Sequence, residues 1–219
     1  MTSWYKHWNH WPCLPADNVF EPIPPEVMAS IAGNAPLSIK RAALTWYGLL
    51  AIRGDVGFEY ATRKHVLIKE VSLESSIDNP GKVSTKIVCE LEVTPDMCDE
   101  GGILSPWSLY SLIDEGSAIS LLLMRMVEAG EGGEHLSIGV SQTMNIFFHH
   151  LAPGPGSKIT LISRSISTRG DVGCCKCEIW DTGKHRLIVT GTQMQMMPSE
   201  GREPQKESSS RQDLQKARL

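Results

Sequence analysis

The apolar and polar positions across residues 102–126, GILSPWSLYSLIDEGSAISLLLMRM, predict one helix with a sharply marked start. Ser105 is a good N-cap, because its hydroxyl can accept an orphan backbone N–H. Pro106 follows at the first helical position, where a missing N–H costs little. Beyond the acidic pair Asp114 and Glu115 come Ile119, Leu121, Leu122, Leu123, Met124, Met126 and Val127. These point in too many directions for a one-sided surface helix, so the rear half has to be enclosed. Asp114, Glu115 and Arg125 interrupt the run, which leaves it far short of a membrane span. Protein is expected to enclose it, not lipid.

Strand patterns flank this helix. Residues 62–73 and 82–93 are rich in β-branched side chains and are separated by Asp78-Asn79-Pro80-Gly81, a strong turn signal. In the second of them Val83, Thr85, Ile87, Cys89 and Leu91 alternate onto one face. After a link at residues 130–134, four more strands are predicted at 137–149, 158–168, 172–180 and 186–196. Their breaks are Pro153-Gly154-Pro155-Gly156, Arg169-Gly170-Asp171 and Asp181-Thr182-Gly183-Lys184. Short turns favour antiparallel neighbours, since a parallel return needs a dozen or more residues. Two strands, a buried helix and a four-strand meander make an α+β chain, one curved antiparallel sheet around a central helix.

Taken in order, these segments resemble the hotdog-fold acyl-CoA thioesterases, of the phenylacetyl-CoA thioesterase and thioesterase superfamily member type. The resemblance runs from about Ala61 to Met197. The family carries N-x-x-G-x-x-H-G-G-x-x-x-x-L-x-D into its central helix. Aligned on the final Asp, this chain has Asp99, Gly102, Ser105, Pro106, Trp107, Leu112 and Asp114. Downstream, Gly139-Val140-Ser141-Gln142-Thr143-Met144-Asn145-Ile146 is close to the family's G-V-S-x-x-M-N-I strand. Ala152-Pro153 with Gly156-Ser157-Lys158-Ile159, and the hairpin from Gly183 to Gly191, also match.

The resemblance implies hydrolysis of an acyl-coenzyme A to a carboxylic acid and coenzyme A. Asp114 and Ser141 would activate and position the attacking water, and no cofactor is needed beyond the coenzyme A of the substrate. In the family a backbone N–H of the first Gly at the helix start binds the thioester oxygen, which suits the positive end of a helix. Here that position is Pro106, which has no N–H. Ser105 replaces the His, Trp107 replaces the second Gly, and Asp99 stands where the family has Asn. Asp99, Gly102, Ser105, Pro106 and Trp107 are thus the residues aligned with the substrate-facing segment, and the Trp107 N–H is the substitute donor at the helix tip. These replacements also leave open a second reading, a hotdog module that binds acyl-CoA or serves in assembly without turnover.

Asp114 lies roughly 12 Å beyond Pro106 along the helix axis, so one chain cannot place both at one carbonyl. A homodimer, or a dimer of dimers, is therefore expected, with the helix start of one subunit facing Asp114 and Ser141 of the other. Simpler readings stand beside these. Asp114 and Glu115 could be a solvated surface pair, Ser141 a core hydroxyl, Ser105 only a cap, Asp99 only a loop residue, and Trp107 only packing.

Composition narrows the classes. At 219 residues and 41% hydrophobic, the chain can bury one full core. A formal net charge of −4 with scattered basic residues argues against nucleic acid. Arg164, Lys176 and Lys184 are isolated cations, expected to be solvated. Cys174-Cys175-x-Cys177 holds one C-x-x-C but lacks a second ligand pair at metal-site spacing, with Cys13, Cys89 and Cys98 scattered, so these three read as small buried thiols in a sheet. With no apolar signal peptide at the start, an intracellular chain is expected. Residues 1–60 form a Trp- and Pro-rich lead with two accessory helices, at 25–32 and 36–52, expected to pack on the hotdog domain at 61–197. The second buries Leu37, Ala43 or Leu44, Tyr47 and Leu50, and Arg53-Gly54 resembles its C-cap. Residues 198–219 are polar and expected to be disordered. They end in Ala217-Arg218-Leu219, which resembles the small-basic-leucine address read by the peroxisomal import receptor. The expected compartment is the peroxisome, with the cytoplasm as alternative.

Overall fold

The computed structural model describes residues 23, 25–52, 60–63, 65–75, 81–130 and 138–197. The Trp-rich lead, the Arg53-Gly54 cap, most of the Asp78–Gly81 turn, the 130–134 link beyond Gly130 and the C-terminal tripeptide lie outside them. The elements are α1 (Pro25–Ser30), α2 (Leu37–Ile52), α3 (Tyr60–Arg63), β1 (Leu67–Ser75), β2 (Val83–Glu92), α4 (Pro106–Ala129), β3 (Val140–Phe148), β4 (Lys158–Arg169), β5 (Val172–Asp181) and β6 (Arg186–Met196). All six strands form one antiparallel sheet in the order β1-β2-β4-β5-β6-β3. The chain is α+β, a curved sheet around a central helix with extra N-terminal helices.

Two sequence expectations are corrected here. The first strand begins at Leu67, not at residue 62, because Thr62 and Arg63 close the short α3. The four late strands are not one meander: β4, β5 and β6 are, but β3 pairs with β6 at the far edge. Residues 149–157 are long enough for this, because an extended segment of that length reaches roughly 30 Å and crossing three strand spacings needs about 14 Å. The link is tied down on its way, with His149 and His150 N–H groups donating to the Ile188 carbonyl and Leu104 N–H donating to Pro153.

Helix α4 lies across the concave face of the sheet, against β2, β4, β5 and β6, with α2 on its other side. Leu109, Ile113, Ile119, Leu121, Leu122 and Leu123 are all at most 1% exposed. Each such side chain contributes about 1.5–3 kcal/mol by leaving water. The helix approaches the sheet closely at two glycines. A Cβ on Gly116 would sit 2.6 Å from Ser163 Oγ, and one on Gly191 would sit 2.6 Å from Ile113 Cγ2. Buried serines of α4 find partners, as where Ser120 Oγ and Thr85 Oγ1 share a hydrogen bond at 3.1 Å.

Helix α2 buries Ile39, Ala43 and Tyr47 at a four-residue interval, one face of a helix. Leu37 is 66% exposed, contrary to the expected stripe, because as the first helical residue it precedes that face. On β2 the predicted inner row of Thr85, Ile87, Cys89 and Leu91 is buried, while Val83 at the strand start is exposed. Cys175 and Cys177 share the buried face of β5 and Cys174 takes the other. Burial pushes the Cys89 thiol up to about 12 and raises Cys175 as well, so these thiols are held protonated and inert. No helix among the described residues is long and apolar enough to cross a membrane.

Candidate functional site

The start of α4 is built as its sequence dictates. Ser105 is extended at φ −65 and ψ 148, and its Oγ accepts from the Ser108 N–H at 3.0 Å. The Ser105 carbonyl takes the Leu109 N–H at 3.1 Å, while the Ser105 N–H is anchored on Met97. Pro106 brings no N–H. The Trp107 N–H therefore remains the helix-tip donor without a partner among the described residues. Its ring is 67% exposed, with the Tyr110 ring 6.4 Å away at a tilt of 48°.

Asp99 closes the loop that precedes the helix. Its Oδ1 accepts from the Gly101 N–H at 2.9 Å and the Ile103 N–H at 3.4 Å. Its carbonyl takes the Gly102 N–H at 3.0 Å, and Gly102 adopts φ +72, a backbone conformation suited to glycine. The loop thus ties one oxygen of the carboxylate that the alignment sets beside the substrate-facing segment.

Two turns along α4, the acidic pair divides. Glu115 turns inward and is 8% exposed. The Arg63 guanidinium of α3 pairs with it. Burial pushes the Glu115 carboxyl up to about 7, although Arg63 pulls the other way. The solvated-pair alternative fails for this residue, since the close packing of α3 and α2 on α4 leaves it no water.

Asp114 faces the opposite way, towards β3 and β6. Ser141 Oγ donates to Asp114 Oδ1 at 2.8 Å, which brings together the two residues aligned with the family's water-activating pair. A β-bulge between Ser141 and Thr143 makes this possible. Met144 and Ile146 point towards the core, so simple alternation would turn Gln142 inward, not Ser141. The extra residue shifts the parity and re-aims the serine.

A third residue, not anticipated from the sequence, completes the group. Gln193 of β6 is 1% exposed, and its Nε2 donates to both Asp114 Oδ1 and, at 2.9 Å, Ser141 Oγ. Its Oε1 accepts from Ser117 Oγ at 2.5 Å and from Gln195 Nε2 at 3.1 Å. The one signal available was a pair of amides, Gln193 and Gln195, alternating onto the inner face of an otherwise buried strand. Asp114 Oδ2 keeps no partner among the described residues. The arrangement is a fixed carboxylate with one oxygen tied and one free, which suits proton abstraction from a small molecule.

The other candidates lie elsewhere. Gly102, Ser105, Pro106, Trp107 and Asp99 cluster at the helix start, apart from Asp114 along the same axis. Arg164 is paired with Glu74 and Lys176 with Glu178. No group of three or more His, Cys, Asp or Glu among the described residues could hold a metal ion.

No protein-family model and no curated protein matches this chain. Solved structures do. Zebrafish thioesterase superfamily member 2 superposes with a TM-score of 0.52 at 19% identity, over 74% of this chain and 96% of that one. A hypothetical thioesterase protein from Streptococcus pneumoniae, solved with coenzyme A, gives 0.47 at 12% identity, over 61% and 87% of the two chains. The PaaI protein of E. coli gives 0.41 at 14% identity, over 52% and 73%. With its strand order, its wrapped helix and the likeness to the zebrafish protein, this chain has the hotdog fold.

Proposed function

We propose that this protein is an acyl-CoA thioesterase acting as a symmetric dimer. Asp114 Oδ2 takes a proton from a water, whose oxygen attacks the thioester carbonyl carbon. The tetrahedral oxyanion then collapses, the C–S bond breaks, and coenzyme A leaves as thiolate to be reprotonated. Ser141 holds Asp114 and helps to orient the water. The single observation that carries this reading is the hydrogen-bonded set of Asp114, Ser141 and Gln193, with one carboxylate oxygen left free.

The oxyanion donor comes from the helix start of the partner copy. There the Trp107 N–H stands in for the family's glycine, at the positive end of the helix. Asp99 Oδ1 is held in its own loop by the Gly101 and Ile103 N–H groups. Ser105 and Gly102 shape the tip, and Pro106 and Trp107 form its surface.

The dimer reading is supported by β3. Not one of its residues is buried, and Val140, Phe147 and Phe148 are 54%, 62% and 55% exposed. An uncovered apolar edge strand is a template for pairing with another copy. Two-fold pairing there would set each Asp114 near the partner's helix start.

The second reading, an acyl-CoA-binding module without turnover, is favoured by one feature, the missing N–H at Pro106. Thiol release from a panel of acyl-CoAs, acetyl to palmitoyl and aryl, by wild type and Asp114→Asn separates the two. Hydrolysis that collapses in the variant while its folding survives supports the enzyme. Binding with no thiol release by wild type establishes the module instead.

A further inference from the structure

Gln193 spans α4 from Asp114 to Ser117, which are neighbours on one helix face. Its orientation is dictated by charge: an N–H end facing a carboxylate attracts it, and a carbonyl end would repel it. The carbonyl end faces Ser117 Oγ, whose proton is shared with the Ile113 carbonyl, and Gln195 Nε2, so turning the amide would set its oxygen against the Asp114 carboxylate. Gly191, two residues earlier on the same strand face, lets α4 come close enough for this bridge.

We infer that Gln193 is the positioning residue of this site: its amide clamps Asp114 Oδ1 and Ser141 Oγ together, so that Asp114 Oδ2 alone is presented to water. The clamp rests on the thioesterase reading for its consequence in turnover, but not for the fixed geometry of the Asp114 carboxylate.

The test uses the full chain with Gln193→Met, which keeps length and removes the amide, and Gln193→Glu, which keeps shape and turns donors into acceptors. Both are checked first for a cooperative thermal transition. With KM changed by no more than about threefold, kcat should fall about 100-fold in Gln193→Met, the cost of a loosened reacting group. Gln193→Glu, which sets a second carboxyl against Asp114, should lose still more kcat than Gln193→Met, again with little change in KM. A purely structural glutamine would lower the thermal midpoint without this split between kcat and KM.

Crystal structures of the folded variants read the clamp without turnover. If wild type is inactive but the Asp114 carboxylate parts from Ser141 in Gln193→Met, the clamp stands and the thioesterase reading fails. If wild type is active and folded Gln193→Met keeps its kcat and its Asp114–Ser141 hydrogen bond, the clamp is overturned. Should Gln193→Met not fold, Gln195→Leu frees one end of the amide, and a fall in kcat about half as large on a logarithmic scale is expected; its absence overturns the proposal.

Discussion

Ser141 Oγ stands 2.8 Å from Asp114 Oδ1 although 27 residues separate them, one on the edge strand and the other mid-helix. Only the bulge in β3 permits that contact. Asp114→Asn should reduce kcat by about 10²–10⁴-fold, the usual worth of a general base. Ser141→Ala should cost about tenfold, since Gln193 still donates to the carboxylate. Steady-state thiol release, with circular dichroism to confirm folding, checks both. An Asp114→Asn variant as fast as wild type rules out this base.

The inward turn of Glu115 predicts a pH dependence of stability. Its folded-state value, about 7 against an ordinary 4.5, is raised chiefly by burial, with Asp114 adding to it and Arg63 and Ser111 opposing. The folded state thus binds this proton more tightly than the unfolded chain. The resulting stability is fully present below about pH 4.5 and is lost as pH rises through 7. Glu115→Gln removes the titration. Wild-type minus variant unfolding free energy should therefore fall by roughly 3 kcal/mol between pH 4 and pH 8. Urea melts at both pH values measure this, and a flat difference contradicts it.

Gly191→Ala should destabilise the protein by about 1–3 kcal/mol, because the new methyl meets Ile113 Cγ2 at 2.6 Å. In an Ile113→Ala background, which removes Cγ2, Gly191→Ala should cost less. An equal loss in both backgrounds, measured by denaturant unfolding, would show that the clash is not the cause.

Ser105→Ala should cost about 1 kcal/mol through loss of the cap on the Ser108 N–H. Thermal unfolding reads it. Ser105→Asp should retain stability, because a carboxylate caps the same N–H and suits the positive helix end.

The uncovered edge strand predicts that Phe147→Lys shifts the oligomeric state. In sedimentation velocity the variant should run as a monomer at concentrations where wild type is a dimer, with thiol release lost together with the dimer. A monomeric wild type that hydrolyses acyl-CoA would refute the shared site.

Helix α4 and its enclosure were legible because a run with apolar residues in every direction has few structural solutions. The Ser105-Pro106 start was equally plain, since cap chemistry is local. The position of β3 was not legible: adjacency in sequence suggested pairing with β4, while the 149–157 link carries β3 past two other strands. The helical state of Thr62 and Arg63 was hidden by their β-branched surroundings. At the site, Asp114 and Ser141 could be named by resemblance, but no local rule revealed the bulge that joins them. Gln193 escaped notice because an amide on a strand has no periodic signature, and its role depends on partners from two other elements. Glu115 shows the same limit, as a buried charge is visible only once Arg63 arrives from α3.

The crossing of β3 to the far side of β6 has a consequence for biogenesis. Val140 finds its partner Met196 only near the end of the described chain. At translation rates of about 5–20 residues per second, β3 emerges on the order of seconds before the strand that will receive it. During that interval Met144 and Ile146, which the finished fold packs against its core, are adhesive surface on a nascent chain, and slow decoding across β4 to β6 would lengthen the exposure. Synonymous substitutions that pause ribosomes there should lower soluble yield while leaving the purified protein unchanged.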